Sequence, residues 1–222
     1  MSVKREVYHS FSDSLLKTSK FFAKLSFNIE LEYKNKKVPE EIKENNKSYV
    51  TGSIFSSVAF LESIINELFW SALKAPTGFA RALNENLKNK MAKFLANFEN
   101  RYNYMSTLEK YQFTLFLNGQ DLFEKGKNPF QDVKLVIELR NELIHFEPEM
   151  IDAEKNKQTW EDQLRGEFNQ CPFYKETFLF LPHRCLSYGC ARWAVISCIK
   201  FVNDFYKKIG VNKIYDEDNI NS

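Results

Sequence analysis

Glycine and proline are scarce in this chain, seven and six among 222 residues. That is too few to punctuate a sandwich or barrel of many short strands. An excess of one charge is missing too. Thirty-one Lys and Arg against 29 Asp and Glu leave a formal net charge of +2, so any nucleic-acid surface has to be a local patch. The four cysteines, Cys171, Cys185, Cys190 and Cys198, include no CxxC pair and match no zinc-ribbon or finger spacing. A tetrad of Cys171, His183, Cys185 and Cys190 can be drawn, but three of the four thiols lie on or beside an apolar helix, and reduced core cysteines are the better reading. The opening residues, Met1 to Glu6, lack the apolar core of a signal peptide. The longest apolar stretch, Ala191 to Val202, contains Arg192 and Lys200 and falls short of a bilayer. No glycine-rich phosphate loop and no internal repeat is found. The expectation is a cytoplasmic protein with no membrane span, no metal and no cofactor.

What the chain does have is helical periodicity and many aromatic rings, 21 Phe and 10 Tyr. Phe11, Leu15, Phe22 and Leu25 are loosely helix-spaced, and Tyr33 to Lys37 is polar, so residues 1–47 read as a helical arm followed by a solvated connection. Ile54, Val58, Leu61, Ile65, Leu68 and Ala72 recur at steps of four and three, the seam of a core helix. Pro76-Thr77-Gly78 closes it, and Leu83, Leu87, Met91, Phe94 and Phe98 follow as a second amphipathic run. Ser106-Thr107-Leu108-Glu109 is a capping box, and the helix it opens stops at Asn118-Gly119. Asn128-Pro129-Phe130-Gln131 is another start signal, with Asn as cap and Pro at the first helical position. That helix places Val136, Leu139, Leu143 and Phe146 on one face and ends before Pro148. Residues 150–180 read as a polar, mostly irregular insert with one weak helix at Trp160 to Phe168. Pro182 is expected to open a long last helix, closed by Lys207, Lys208 and Gly210. The acidic residues from Asp216 onward read as loose tail.

One segment carries chemistry: Leu139-Arg140-Asn141-Glu142-Leu143-Ile144-His145-Phe146, in a chain with three histidines. Arg can hold a phosphate with a forked pair of hydrogen bonds and neutralise charge developing on it. His titrates near neutrality and can take or give a proton. Asn141 lies four residues before His145 and shares its face. Arg140 and His145, five steps apart, point about 140° away from each other on an ideal helix. They converge only through the length of Arg, a distorted last turn, or a second copy of the helix. Spacing alone is weak, since seven arginines, three permitted gaps and three histidines give roughly 0.3 chance matches in a chain of this length. Read bare, the pair caps a helix end and pairs with acids.

The residues also resemble the HEPN superfamily, whose ribonuclease members carry Arg, a polar residue, and a His after four to six intervening positions. Arg140-Asn141-xxx-His145 fits the short form. The upstream core helix with Glu62 and Asn66, the Phe146-Glu147-Pro148 that follows the His, and Trp193-Ala194-Val195 on the last helix are similar as well. The resemblance covers roughly residues 48–209, with 150–180 as an insert, 1–47 as an N-terminal arm and 210–222 as a C-terminal tail. It implies an all-α helical bundle that forms homodimers and cleaves single-stranded RNA without a metal. Two motifs would meet in one cleft, His145 acting as base on the ribose 2′-hydroxyl and Arg140 stabilising the transition state. It further implies toxin or defence roles with an antitoxin partner such as a nucleotidyltransferase. The rival expectation is the same fold as a non-catalytic RNA- or nucleotide-binding module or protein-interaction adaptor. Glu62, set among apolar neighbours, either pairs with Arg140 or His145 or reaches solvent. Lys88, Lys90 and Lys93 either track an RNA backbone or form a solvated helix face, the second being the commoner case. The insert is expected over or beside the cleft.

Overall fold

In the computed structural model, residues 10–74, 82–146 and 158–217 are described. The described chain is all-helical, with no strand among those residues. The α-helices in order are α1 (Ser12–Glu32), α2 (Glu40–Lys74), α3 (Glu85–Tyr104), α4 (Thr107–Leu117), α5 (Phe130–Ile144), α6 (Gln158–Arg165) and α7 (Tyr188–Ile209). The centre is α2, which packs against α1, α3, α4, α5 and α7. Its seam of Ile54, Val58, Leu61, Ile65 and Leu68 is buried as the periodicity predicts. By length and composition α2 alone among the described helices could cross a membrane; half of its most apolar window is buried inside the bundle.

Residues 12–32 of the expected arm form α1, which packs along α2. Helix α2 begins at Glu40, so a boundary at 47/48 cuts through its first turns. Helix α1 lies against α2, and its buried face is Ser12, Leu16, Ser19, Ala23 and Ser26 rather than the large residues. Phe11 is exposed instead. Small residues let the two backbones approach: Ser53 donates to the Ser19 carbonyl at 2.9 Å and Ser26 to Asn46 Oδ1 at 2.8 Å. A Cβ at Gly52 would sit 3.0 Å from the Phe22 ring, which is why this position has none. Helix α1 lacks a side-chain cap of its own. Glu67 of α2 supplies one, accepting from the Phe11 and Ser12 amides at 2.7 and 2.9 Å and from the hydroxyl of Ser12. A carboxylate there meets the orphan donors and the positive helix end together.

Several start and stop signals hold. Both bonds of the Ser106–Glu109 capping box are present, and Gly119 and Gly210 adopt left-handed φ of 67° and 76°. Others shift. The cap position of α5 is Pro129, without a side-chain bond, and not Asn128, whose side chain bonds to Asp132. Pro182 does not open α7: Leu181, extended ahead of the proline, breaks the chain into a single π turn over Phe180–Arg184. Helix α7 starts later, with Ser187 Oγ accepting from Cys190 N. Helix α3 is kinked at Phe98, which is exposed rather than part of the apolar face. The four cysteines are buried, free thiols, and burial pushes the Cys171 thiol up to about 12. The tail through residue 217 packs back: Tyr215 exchanges two hydrogen bonds with Asn203 and donates to Asp13, which also pairs with Lys213. The Pro76-Thr77-Gly78 stop, Pro148, and residues 150–157 and 218–222 of the expected insert and tail lie outside the described residues.

Candidate functional site

Helices α2 and α5, with the α3–α4 junction, enclose a cleft of about 360 Å³ lined by Glu62, Asn66, Asn103, Ser106, Thr107, Lys110, Arg140 and Asn141 over an apolar floor of Ile65, Met105 and Ile137. Burial of Leu135, Val136 and Leu139 fixes the rotation of α5, and that rotation turns Arg140 toward α2. There its Nη2 donates to Glu62 Oε1 at 2.8 Å. The pair is part-exposed, 24% for Arg140 and 43% for Glu62, so it is hydrated on one side. Thr107 Oγ1 also reaches Glu62 Oε1, at 3.3 Å. The carboxylate therefore ties α2 to both α5 and α4. Arg140 Nε is buried and has no hydrogen-bond partner.

Asn141 lies exposed at the cleft edge. His145 does not line the cleft. It caps α5 with non-helical φ and ψ of −103° and 27°, its amide bonded to the Asn141 carbonyl, and its side chain is exposed. Glu62 thus pairs with Arg140 and not with His145. The exposed neighbours of His145 are Ile144 and Phe146.

The three lysines read as an RNA track are not brought to this cleft. Lys88, Lys90 and Lys93 lie ten to fifteen residues before Asn103 on α3, roughly 15–22 Å along the axis at helical rise. Lys88 pairs with Glu85 and Lys90 caps the Leu117 carbonyl, while Lys93 is exposed. No described residue of the insert lines the cleft either.

The structure adds Lys110, which sequence reasoning passed over. Its ammonium donates to Asn66 Oδ1 at 3.0 Å and sits 4.2 Å from the centre of the Tyr102 ring. Tyr102 Oη donates to the same Asn66 oxygen at 2.7 Å. Burial lowers the Lys110 pKa, and the nearby Glu62 charge opposes that shift. Thr107 and Lys110, three residues apart on α4, share a face, but only the packing of α4 on α2 brings that face to Glu62 and Asn66. Among the described residues no cluster of three or more His, Cys, Asp or Glu could hold a metal. No family model, no curated protein and no solved structure matches the chain.

Proposed function

We propose that the chain is a metal-independent endoribonuclease of the HEPN type, acting on single-stranded RNA as a homodimer. The observation that carries this reading is Arg140, held by Glu62 in a polar cleft, five residues before an exposed His145. In this mechanism His145 removes the proton from a ribose 2′-hydroxyl. The alkoxide attacks the adjacent phosphorus, the P–O5′ bond breaks, and a 2′,3′-cyclic phosphate and a free 5′-hydroxyl result. The His145 of the other copy protonates the leaving oxygen, and Arg140 neutralises charge on the pentacoordinate phosphorus. Asn141, at the edge, is placed to hydrogen-bond a substrate oxygen.

The dimer answers a geometric need. Within one chain, Arg140 faces the cleft and His145 lies beyond the end of α5, so a second copy is what brings a histidine to each arginine. Ile144 and Phe146, 49% and 45% exposed, give a second copy apolar surface to cover. The toxin or defence role with a nucleotidyltransferase-like antitoxin belongs to the same proposal.

One observation favours the rival, a non-catalytic RNA- or nucleotide-binding adaptor. Arg140 already spends a donor on Glu62, and no hydrogen bond aims the His145 ring among the described residues. Cleavage of fluorescent single-stranded RNA in EDTA, with the products tested for cyclic phosphate ends, separates the two. Cyclic ends support the enzyme; RNA binding without cleavage selects the adaptor.

A further inference from the structure

Glu62 neutralises one of the two cations that line the cleft, so Lys110 carries its net positive charge. Contact with the Tyr102 ring and one bond to Asn66 fix the ammonium in place, leaving two of its three N–H groups without a partner among the described residues. A part-buried cation with unspent donors in a wet cleft is suited to an anion. Amides of Asn66, Asn103 and Asn141 and hydroxyls of Ser106 and Thr107 line the same cleft.

A second cavity of about 530 Å³ runs along the last turns of α3 and is lined by Tyr104, the sequence neighbour of the cleft residue Asn103. Phe98, Arg101 and Tyr104 line it together with Glu99, and Tyr104 is 89% exposed. A ring that exposed contributes nothing to the core. Cations that follow a backbone, with an open aromatic face alongside, are how proteins hold single-stranded nucleic acid. We infer that Lys110 and Tyr104 form a substrate subsite for one nucleotide of single-stranded RNA, Lys110 taking its phosphate and Tyr104 stacking its base, beside the linkage held at Arg140. The inference rests on the ribonuclease reading for which linkage is cut, but its test requires no cleavage.

The test is fluorescence anisotropy of a labelled single-stranded RNA of about ten nucleotides, bound to His145→Ala protein in EDTA over a salt series. Lys110→Met keeps the apolar stem over Tyr102. It should weaken binding about five- to tenfold and reduce the log–log salt slope by about 0.7, one phosphate contact on a single strand. Lys110→Arg should restore the slope. Tyr104→Ala should weaken binding about tenfold with the slope unchanged, and Tyr104→Trp should not. Melting temperatures of both should stay near that of the parent, so the losses are not unfolding. Unchanged affinity and slope in folded Lys110→Met and Tyr104→Ala overturn the subsite even if wild type cleaves RNA. Both losses in a protein whose wild type never cleaves would support the subsite and overturn the ribonuclease reading instead. No RNA binding at all overturns both.

Discussion

Removing the Glu62–Arg140 pair tests whether it is a hydrated brace or a buried charge pair. The distance is short, 2.8 Å, but the side chains are 43% and 24% exposed. Fully exposed pairs contribute about 0.2–1 kcal/mol, and breaking a fully buried one costs about 3–5 kcal/mol. Water reaches the Glu62 carboxylate, and Thr107 gives it a second donor, so the coupling belongs near the lower range, about 1 kcal/mol. The perturbation is a double-mutant cycle of Glu62→Gln, Arg140→Ala and the double variant, read by urea unfolding and thermal melts. In a chain of this size, about 1 kcal/mol moves the melting temperature by about 2–4 °C. Arg140→Ala should lose activity about 10²–10³-fold, as when one transition-state donor is removed. Arg140→Lys should regain stability better than activity, because an ammonium keeps the charge and not the planar fork. A coupling of 3 kcal/mol or more refutes the hydration argument. A coupling near zero refutes the claim that Glu62 aims the arginine.

Other predictions follow from single observations. Ile144→Asp or Phe146→Asp should shift the proposed dimer toward monomer and lower activity in proportion; light scattering at micromolar concentration checks this, and a wild type that is monomeric throughout removes the composite cleft. Glu67→Ala should destabilise by about 1–2 kcal/mol, since it strips the cap from α1; hydrogen exchange should quicken in the first turn of α1 and not in α7. Burial raises the Glu30 pKa above its usual value, with bonds from Tyr188 N and the Asn46 amide opposing the shift. A raised folded-state pKa means this group favours folding at low pH, and that contribution is lost as pH rises through the folded value. Glu30→Gln keeps an acceptor for both donors, so its melting temperature relative to wild type should be higher at about pH 8 than at about pH 4.5; an equal difference at both would contradict the burial argument.

The helical architecture was legible because the α2 seam and the Ser106 and Gly210 caps are local signals, written in a dozen neighbouring residues. Helix α1 was misread for a physical reason. Its buried face is Ser12, Leu16, Ser19, Ala23 and Ser26, mostly small residues that allow close backbone approach, so the search for large apolar residues followed a neighbouring stripe. The Glu67 cap could not be seen either, because it reaches across 55 residues of sequence. At the site, Glu62 was visible as an acid in an apolar seam, and the divergence of Arg140 and His145 was visible in their spacing: Arg140 lines the cleft and His145 does not. Lys110 was not visible, since only the packing of α4 on α2 brings it to Asn66. The Lys88 to Lys93 run looked like a patch in one dimension, yet two of its members are tied down locally.

The most direct test of the account is cleavage of a fluorescent single-stranded RNA in EDTA by wild type and by His145→Ala at matched melting temperature. Wild type should release fragments with 2′,3′-cyclic phosphate ends. His145→Ala, with its exposed side chain removed and the fold intact, should be slower by about 10²–10⁴-fold. A well-folded His145→Ala that cleaves as fast as wild type, or a dimeric wild type that cleaves no single-stranded RNA, would contradict the account.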